Sequence, residues 1–379
     1  MTKKINIVVL HDWLDKFAGA EKVLEQILKI YPKVDLFTIV DHMEKKDRKF
    51  LKDIKIKKSF IQYLPFSKKL FRYYFFLFPF AVRFFNLNKY NVIISSSHSF
   101  IKNIKKRKDQ LHICYCHTPM RYAHVMMKQY IENYGFKNFF IRNSLKIALT
   151  LIGKWDIVCS KNVDFFVANS NFIKRRIKKY YKKDSVVIAP PVDTNKFAFK
   201  KYKRDFYLTA SRLVPYKKID LVIKTFNNLP NKTLYVIGSG PQIDNYVKLA
   251  KPNVKILGWT SDNDLVKYMQ NAKAFIFAPL EDFGIIPVEA QSCGTPVIAF
   301  GKGGVMDTII DYPKNKATGI FFKKQNISLL NKSILKFEKN YKKFNPSFCR
   351  NNSKKFSEEK FFKKFKEYTN QLIYLRYYR

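Results

Sequence analysis

Short apolar runs rich in Val, Ile and Phe return along this chain at intervals that leave room for a helix between neighbours. They fall at 5–10, 91–95, 112–116 and 164–168, and again at 205–210, 233–237, 254–257, 274–277 and 295–299. Strands apolar on both faces belong to parallel sheets, because the crossover helices cover both sides and leave neither to water. The helical period shows at 21–31, where Val23, Leu24, Ile27 and Leu28 share one face. The pattern predicts βα units from one end of the chain to the other.

With 379 residues, two cores of roughly 180 residues each are easier to build than one. The break is expected at Pro190-Pro191-Val192-Asp193, followed by Lys196, Lys200, Lys201, Lys203 and Arg204 without a periodic face, which reads as an interdomain linker. The expected fold class is therefore α/β, with two doubly wound Rossmann-like domains at 1–195 and 201–345. A cleft is expected between them, at the carboxyl ends of the strands, where such sheets bind ligands. Phe361, Phe362, Phe365, Tyr368 and Leu372 recur at helical spacing, so 346–379 is expected as a helical tail closing back towards the N-terminal domain.

Five cysteines at 114, 116, 159, 293 and 349 include no CxxC pair. That suits neither a disulfide framework nor a structural zinc site, and points to a reducing compartment. The first twelve residues hold too short an apolar run for a signal peptide, so a cytoplasmic location is expected.

Lys and Arg number 72 against 29 Asp and Glu, a formal net charge of +43. Such a charge favours nucleic acid, phospholipid headgroups or phosphorylated substrates, although a compositional bias towards Lys, Asn, Ile, Phe and Tyr accounts for part of it. Its distribution is more specific. Residues 55–108 carry 13 Lys and Arg and no Asp or Glu, and 60–85 hold 12 aromatics. The apolar run 73–82 is closed by Arg72 and Arg83 and interrupted by Pro79, well short of the roughly 20 residues that span a bilayer. Rings beside cations suit the boundary between acyl chains and anionic headgroups. Lys68, Lys69, Arg72, Phe75, Phe76 and Arg83 are therefore candidates for contact with an anionic membrane surface. A buried aromatic helix pair is the alternative, and RNA stacking a third.

The chemistry concentrates between Pro279 and Ala299, where Glu281 and Glu289 stand eight residues apart around Gly284 and Pro287. Pro287 suits the first position of a helix and Gly294 its C-terminal cap, which puts Glu281 on a loop and Glu289 in a first turn. The amides of Phe283, Gly284 and Ile285 then approach a helix N-terminus, a site for anionic or hydroxyl oxygens, and the carboxylates can accept from sugar hydroxyls.

This segment resembles the E-x7-E motif of the GT-B retaining glycosyltransferases of family 4, and the resemblance extends over nearly the whole chain. It implies that Arg212 and Lys217, in Ser211-Arg212-Leu213-Val214-Pro215-Tyr216-Lys217, neutralise a donor diphosphate. It implies Gly19, in Phe17-Ala18-Gly19-Ala20, as the turn that lets backbone approach the same phosphates, with Ala18 where the family has a second glycine. Cys114-Tyr115-Cys116-His117-Thr118-Pro119, with 63–66 through 95–99, resembles the branch acting on GDP-mannose or related donors.

The resemblance places His117 near the donor sugar, for positioning and charge stabilisation rather than as a base. Attack is expected from the front face, with the departing phosphate taking the acceptor proton. His11, Asp12 and Arg121 are acceptor-side candidates, capping being the alternative for the first two. Gly238, Gly240, Gly258, Gly303 and Gly304 end strands, as turns or as loops around a nucleotide.

Expulsion of a nucleoside diphosphate from an oxocarbenium-like centre needs cations and amides aimed at the leaving group, and Arg212 and Lys217 supply them without a metal. Glu281 completes the expected catalytic set with His117, and Glu289 the donor-binding set. The expected function is metal-independent transfer of a hexose, mannose first, from GDP-mannose or a UDP-sugar. The acceptor is expected to be a lipid-linked or cell-surface glycan at the cytoplasmic membrane face. No cofactor and no nucleic-acid partner are expected. The rivals are a non-enzymatic polyanion binder, a nucleotide-sugar epimerase and a membrane scaffold.

Overall fold

The structure, a computed structural model, describes residues 5–133 and 139–379. Two compact units divide the chain: Met1–Pro190 with Phe361–Arg379, and Pro191–Lys360.

The first unit is built on a seven-stranded, wholly parallel sheet. Its strands are β1 (Ile7–His11), β2 (Asp35–Thr38), β3 (Lys55–Lys58), β4 (Val92–Ser97), β5 (Leu111–Cys116), β6 (Phe165–Ala168) and β7 (Ser185–Val187), in the order β3-β2-β1-β4-β5-β6-β7. Successive residues of β1 serve opposite faces. Val9 joins one core with Ile94, Ile113 and Phe361, and Val8 and Leu10 join the other with Ile93, Phe78 and Ile152, as period-two pleating requires. Every residue of β4 and β5 is buried. The edge strand β3 reads Lys-Ile-Lys-Lys, so part of the basic stretch serves as a charged edge that discourages further pairing.

The final helix, Glu358–Tyr377, covers one face of this sheet. The rings of Phe361 and Phe365 lie 5.8 and 6.1 Å from Tyr115, and the Tyr31 hydroxyl meets Thr369 Oγ1 at 2.6 Å. Truncating a phenyl ring buried to this extent typically costs about 3–5 kcal/mol.

The segment 60–85 is a chain of short helical turns, Phe60–Tyr63, Ser67–Leu70, Phe71–Leu77 and Phe78–Arg83. It divides between the two readings of it. Phe71, Phe78, Ala81 and Val82 are core, whereas Tyr63, Phe66, Phe76, Phe80 and Phe84 are exposed. Phe75 packs against the core instead of standing free, and Arg72 lies over the Phe71 ring and pairs with Asp15 at 2.7 Å. Lys102, counted among the basic residues, is fully buried on Asp156.

The second unit has a six-stranded parallel sheet of β8 (Tyr207–Ala210), β9 (Leu234–Ile237), β10 (Val254–Gly258), β11 (Ala274–Phe277), β12 (Val297–Phe300) and β13 (Gly319–Phe322), ordered β10-β9-β8-β11-β12-β13.

The stretch after Pro191 is not a loose linker. Val192 N donates to Phe356 O at 2.9 Å, Phe197 is buried, and Lys203 Nζ donates to the carbonyls of Gln270 and Cys293 at 2.9 and 2.8 Å. Burial pulls that ammonium down to about 8. The tail also divides. Pro346–Ser353 packs on the helix Ile285–Ser292 through Asn352 on Gln291 at 2.8 Å, and only the part from Phe361 onward belongs to the first unit.

Candidate active site

In the second unit, the expected donor residues gather at the carboxyl ends of β8, β9, β11 and β12. After β8 the chain runs through Ser211, Arg212 and Leu213, and the turn after β9 clamps it: Ser211 N donates to Ile237 O at 3.1 Å and Leu213 N to Ser239 O at 2.8 Å. Gly238, at φ +140°, has no room for a side chain, since a Cβ there would lie 1.8 Å from Ser211 O. The glycine that sequence leaves as a plain turn thus sets the path of the Arg212 loop. The Arg212 side chain is exposed and makes no ion pair among the described residues, which leaves its five donors available to an anion.

Lys217 ends the turn Pro215–Lys217 and its Nζ donates to Glu281 Oε1, both side chains being about one-sixth exposed (17%/17%). The two residues are 64 positions apart, and their contact is not legible from sequence. Glu281 follows β11 on a loop buttressed by the turn after β12. Gly304 N donates to Glu281 O at 2.9 Å, and a Cβ on Gly304 would lie 2.3 Å from both Asp282 O and Phe283 Cα.

Gly304 has φ −70°, a conformation open to alanine. A Gly304→Ala substitution therefore probes close approach alone, free of backbone strain. It is expected to destabilise the protein by about 2 kcal/mol or more, read as a lower urea midpoint.

The helix Ile285–Ser292 starts two residues earlier than its proline suggests. Gly284, in the left-handed region at φ +86°, turns the chain sharply enough that Pro287 is the third helical residue and Glu289 the fifth. A proline fits there because first-turn amides lack helical acceptors. Glu289 is consequently two residues deeper than expected and buried, and Gly294 follows the helix at φ +80°. The Phe283 ring is buried, 5.7 Å from the Phe356 ring centroid, so its backbone and not its side chain is the available part. Ile285 is half-buried.

In the first unit, a polar cluster lies at the carboxyl ends of β1, β4 and β5. Pairing in register sets His11 beside Ser96. The Ser96 hydroxyl bridges two imidazoles, His11 Nδ1 at 3.2 Å and His117 Nε2 at 2.8 Å, while His11 Nε2 meets Glu21 Oε1 at 3.3 Å. His98 adds a third ring, 6.3 Å from His11 and 6.2 Å from His117, edge-on to Trp13.

Burial, then the neighbouring imidazoles and the charge of Arg121, drives His117 well below the ordinary histidine value. Burial likewise lowers His98. Burial alone would raise Glu21, yet its contact with His11 prevails and its carboxyl lies below the usual range.

Asp12 departs from the acceptor-side role. Its carboxylate is fully buried and accepts from the amides of His98 and Ser99 at 2.6 and 2.9 Å and of Ile101 at 2.8 Å, so it holds the loop after β4. Arg121 is half-buried. Gly19 is the first residue of the helix Gly19–Ile30, with Glu21 Oε2 accepting from Ala18 N at 3.0 Å. Glu21, Ser96 and His98 are absent from the sequence-derived site. The signal for Ser96 and His98 was the run Ser95-Ser96-Ser97-His98-Ser99 closing an apolar strand, since polar side chains buried at a strand end require partners. Of the membrane-contact candidates, Lys68, Lys69, Arg72, Phe76 and Arg83 are exposed and Phe75 is half-buried.

Two sequence families match, one described as Glycosyltransferase Family 4 over residues 17–196 and one as Glycosyl transferases group 1 over 191–356. Among curated proteins, an alpha-1,3/1,6-mannosyltransferase ALG2 of Candida glabrata is 26% identical over 53% of this chain and 53% of its own length. A GDP-mannose-dependent monoacylated alpha-(1-6)-phosphatidylinositol monomannoside mannosyltransferase of Corynebacterium glutamicum is 31% identical over 33% of this chain and 35% of its own. The matched part thus spans about half or less of these relatives. Among solved structures, Anabaena Alr3699/HepE in complex with UDP superposes with a TM-score of 0.68 at 17% identity, covering 97% of this chain and 100% of that one. A sucrose-phosphate synthase of Thermosynechococcus elongatus gives 0.69 at 15%, covering 97% and 99%.

Proposed function

The chain belongs to the family 4 glycosyltransferases of GT-B fold, and from that premise we propose that it moves a hexose from a nucleotide sugar to a glycan or lipid-linked acceptor. The observation that carries this reading is the strand-end constellation of the second unit: an exposed Arg212 with no ion pair among the described residues, the Lys217 to Glu281 contact, and the amides around Gly284 at a helix N-terminus. Such a set suits a departing diphosphate and a sugar together. Arg212 forks onto phosphate oxygens, Lys217 adds a point charge held by Glu281, and the first-turn amides donate to an anionic or hydroxyl oxygen. The reaction proceeds with retention, and the leaving phosphate takes the acceptor proton. His117 is assigned to positioning the donor sugar.

Mannose from GDP-mannose is the first donor to test: both curated relatives are mannosyltransferases, and the Corynebacterium one is GDP-mannose-dependent. A UDP-sugar is the second, supported by the UDP in the Anabaena structure. The acceptor is taken at an anionic membrane face, with Lys68, Lys69 and Phe76 in contact.

Thermal unfolding with GDP, UDP, ADP and their sugar conjugates tests the donor. One nucleotide series should stabilise the wild type by about 2.7 kcal/mol at a hundredfold excess over its Kd, and Lys217→Ala should lose that gain. Indifference of the folded protein to every nucleotide would overturn the transferase reading.

A further inference from the structure

The helix Phe139–Cys159 is apolar on two opposite sides, and the described residues of the first unit bury only one of them. Leu149, Ile152, Gly153, Asp156 and Cys159 are buried. At 100° per residue, Ile147, Leu151 and Val158 fall on the far side, and they are 55%, 60% and 61% exposed. A helix apolar all round is normally enclosed, and an exposed apolar stripe marks an interaction surface.

The stripe has no freedom to roll inward. Asp156 pins the opposite side, taking Lys102 Nζ at 2.5 Å, Asn103 Nδ2 at 2.6 Å, Tyr181 OH at 2.7 Å and His124 Nε2 at 2.8 Å. Rolling the helix would break a buried ion pair and strand its charges, which is strongly unfavourable.

We propose that this stripe docks the protein on an anionic lipid surface, with the helix lying in the plane of the interface. The charges choose the occupant. Every exposed charged residue of the helix is a cation, Arg142, Lys146 and Lys154, since its single acid is the buried Asp156. Lys154 falls within about 60° of all three apolar side chains of the stripe, and apolar side chains beside a Lys suit the boundary of acyl chains and anionic headgroups. A second copy of the chain would bring the same cations face to face, with +43 on each partner. Among the described residues no helix is long and apolar enough to cross a membrane, so the contact lies on the surface. The inference extends the membrane part of the proposed function but stands on a different element from 60–85, so the two can fail separately.

The test is co-sedimentation of the full chain with vesicles of phosphatidylcholine alone and of seven parts phosphatidylcholine to three of phosphatidylglycerol. Wild type should pellet with the mixed vesicles, less so at high salt, and only weakly with the neutral ones. The double variant Ile147→Glu with Leu151→Glu should bind the mixed vesicles about tenfold less or weaker, with its urea midpoint and its thermal response to nucleotides unchanged. The variant Lys68→Glu with Lys69→Glu separates the two elements. If it alone lowers binding, the surface is 60–85 and the helix proposal falls. Wild-type binding that ignores phosphatidylglycerol also overturns it. So does a monomer–dimer equilibrium, seen by sedimentation velocity without lipid, that the Ile147 and Leu151 variant abolishes.

Discussion

Lys217→Ala is expected to lower kcat by two to three orders of magnitude, in a protein that still unfolds cooperatively, at a lower urea concentration because its largely buried partner Glu281 is left unpaired. The magnitude follows from the loss of one preorganised donor aimed at developing charge, about 3–4 kcal/mol of barrier. The Lys217 to Glu281 contact adds a second term. In the wild type the ammonium faces a carboxylate. Without it, Glu281 presents an uncompensated negative charge to a departing diphosphate, so the variant suffers repulsion as well as lost attraction. Steady-state kinetics with the donor found in the nucleotide panel reads the effect. A variant that keeps wild-type kcat would remove Lys217 from the reaction and leave its pair with Glu281 as a loop brace.

The second large effect is on stability in mild acid. His112 is fully buried on β5, with Nε2 on Ser95 Oγ at 2.8 Å, and burial lowers it to about 3. Burial also lowers His98 and His117. A group whose folded value lies below its unfolded value near 6.5 is neutral in the native state and binds a proton on unfolding. The stabilisation is therefore complete above pH 6.5 and declines as pH falls towards the folded value. Each such imidazole contributes a slope of up to about 1.4 kcal/mol per pH unit. The unfolding free energy from urea titrations should fall steeply between pH 6 and 4. His112→Gln should make that slope shallower by about one imidazole's share. Asp156, held near 2 by Lys102 against its own burial, adds its loss only below about pH 4, so the histidines govern the upper part of the range. Equal stability at pH 7 and pH 5 would show that these imidazoles are solvated in the folded protein.

Legibility of the fold follows how locally each element is specified. The strands β1, β4, β5, β6 and β8 to β12 announce themselves because each carries a short run of mostly apolar residues, buried on both faces in β1, β5, β8, β11 and β12 apart from the first residue of β1. The short strands β2, β3, β7 and β13 lie outside that pattern. β3 is mostly lysine, because an edge strand meets water on one side, and its composition merges with the basic stretch around it. The docking of 191–204 and 346–360 onto the second unit was hidden for a related reason. Lys203 and Arg350 reach buried carbonyls, and a cation that caps backbone carbonyls has the same letter as one in water.

The alternation of strands and helices, the division near Pro190 and the placing of Glu281 on a glycine-turned loop are determined by the sequence alone. Each rests on an interaction within a few residues: strand period, proline geometry, or a glycine's left-handed turn. Tertiary structure decided what joins distant positions. It set Lys217 against Glu281, and it assembled His11, Glu21, Ser96, His98 and His117 from three strand ends and a helix. It pushed Pro287 two residues into its helix, and it chose which of two apolar sides of Phe139–Cys159 the core would take. Periodicity marks a side chain as apolar or polar, whereas its burial and its partner depend on strand register and packing, which chain separation does not encode.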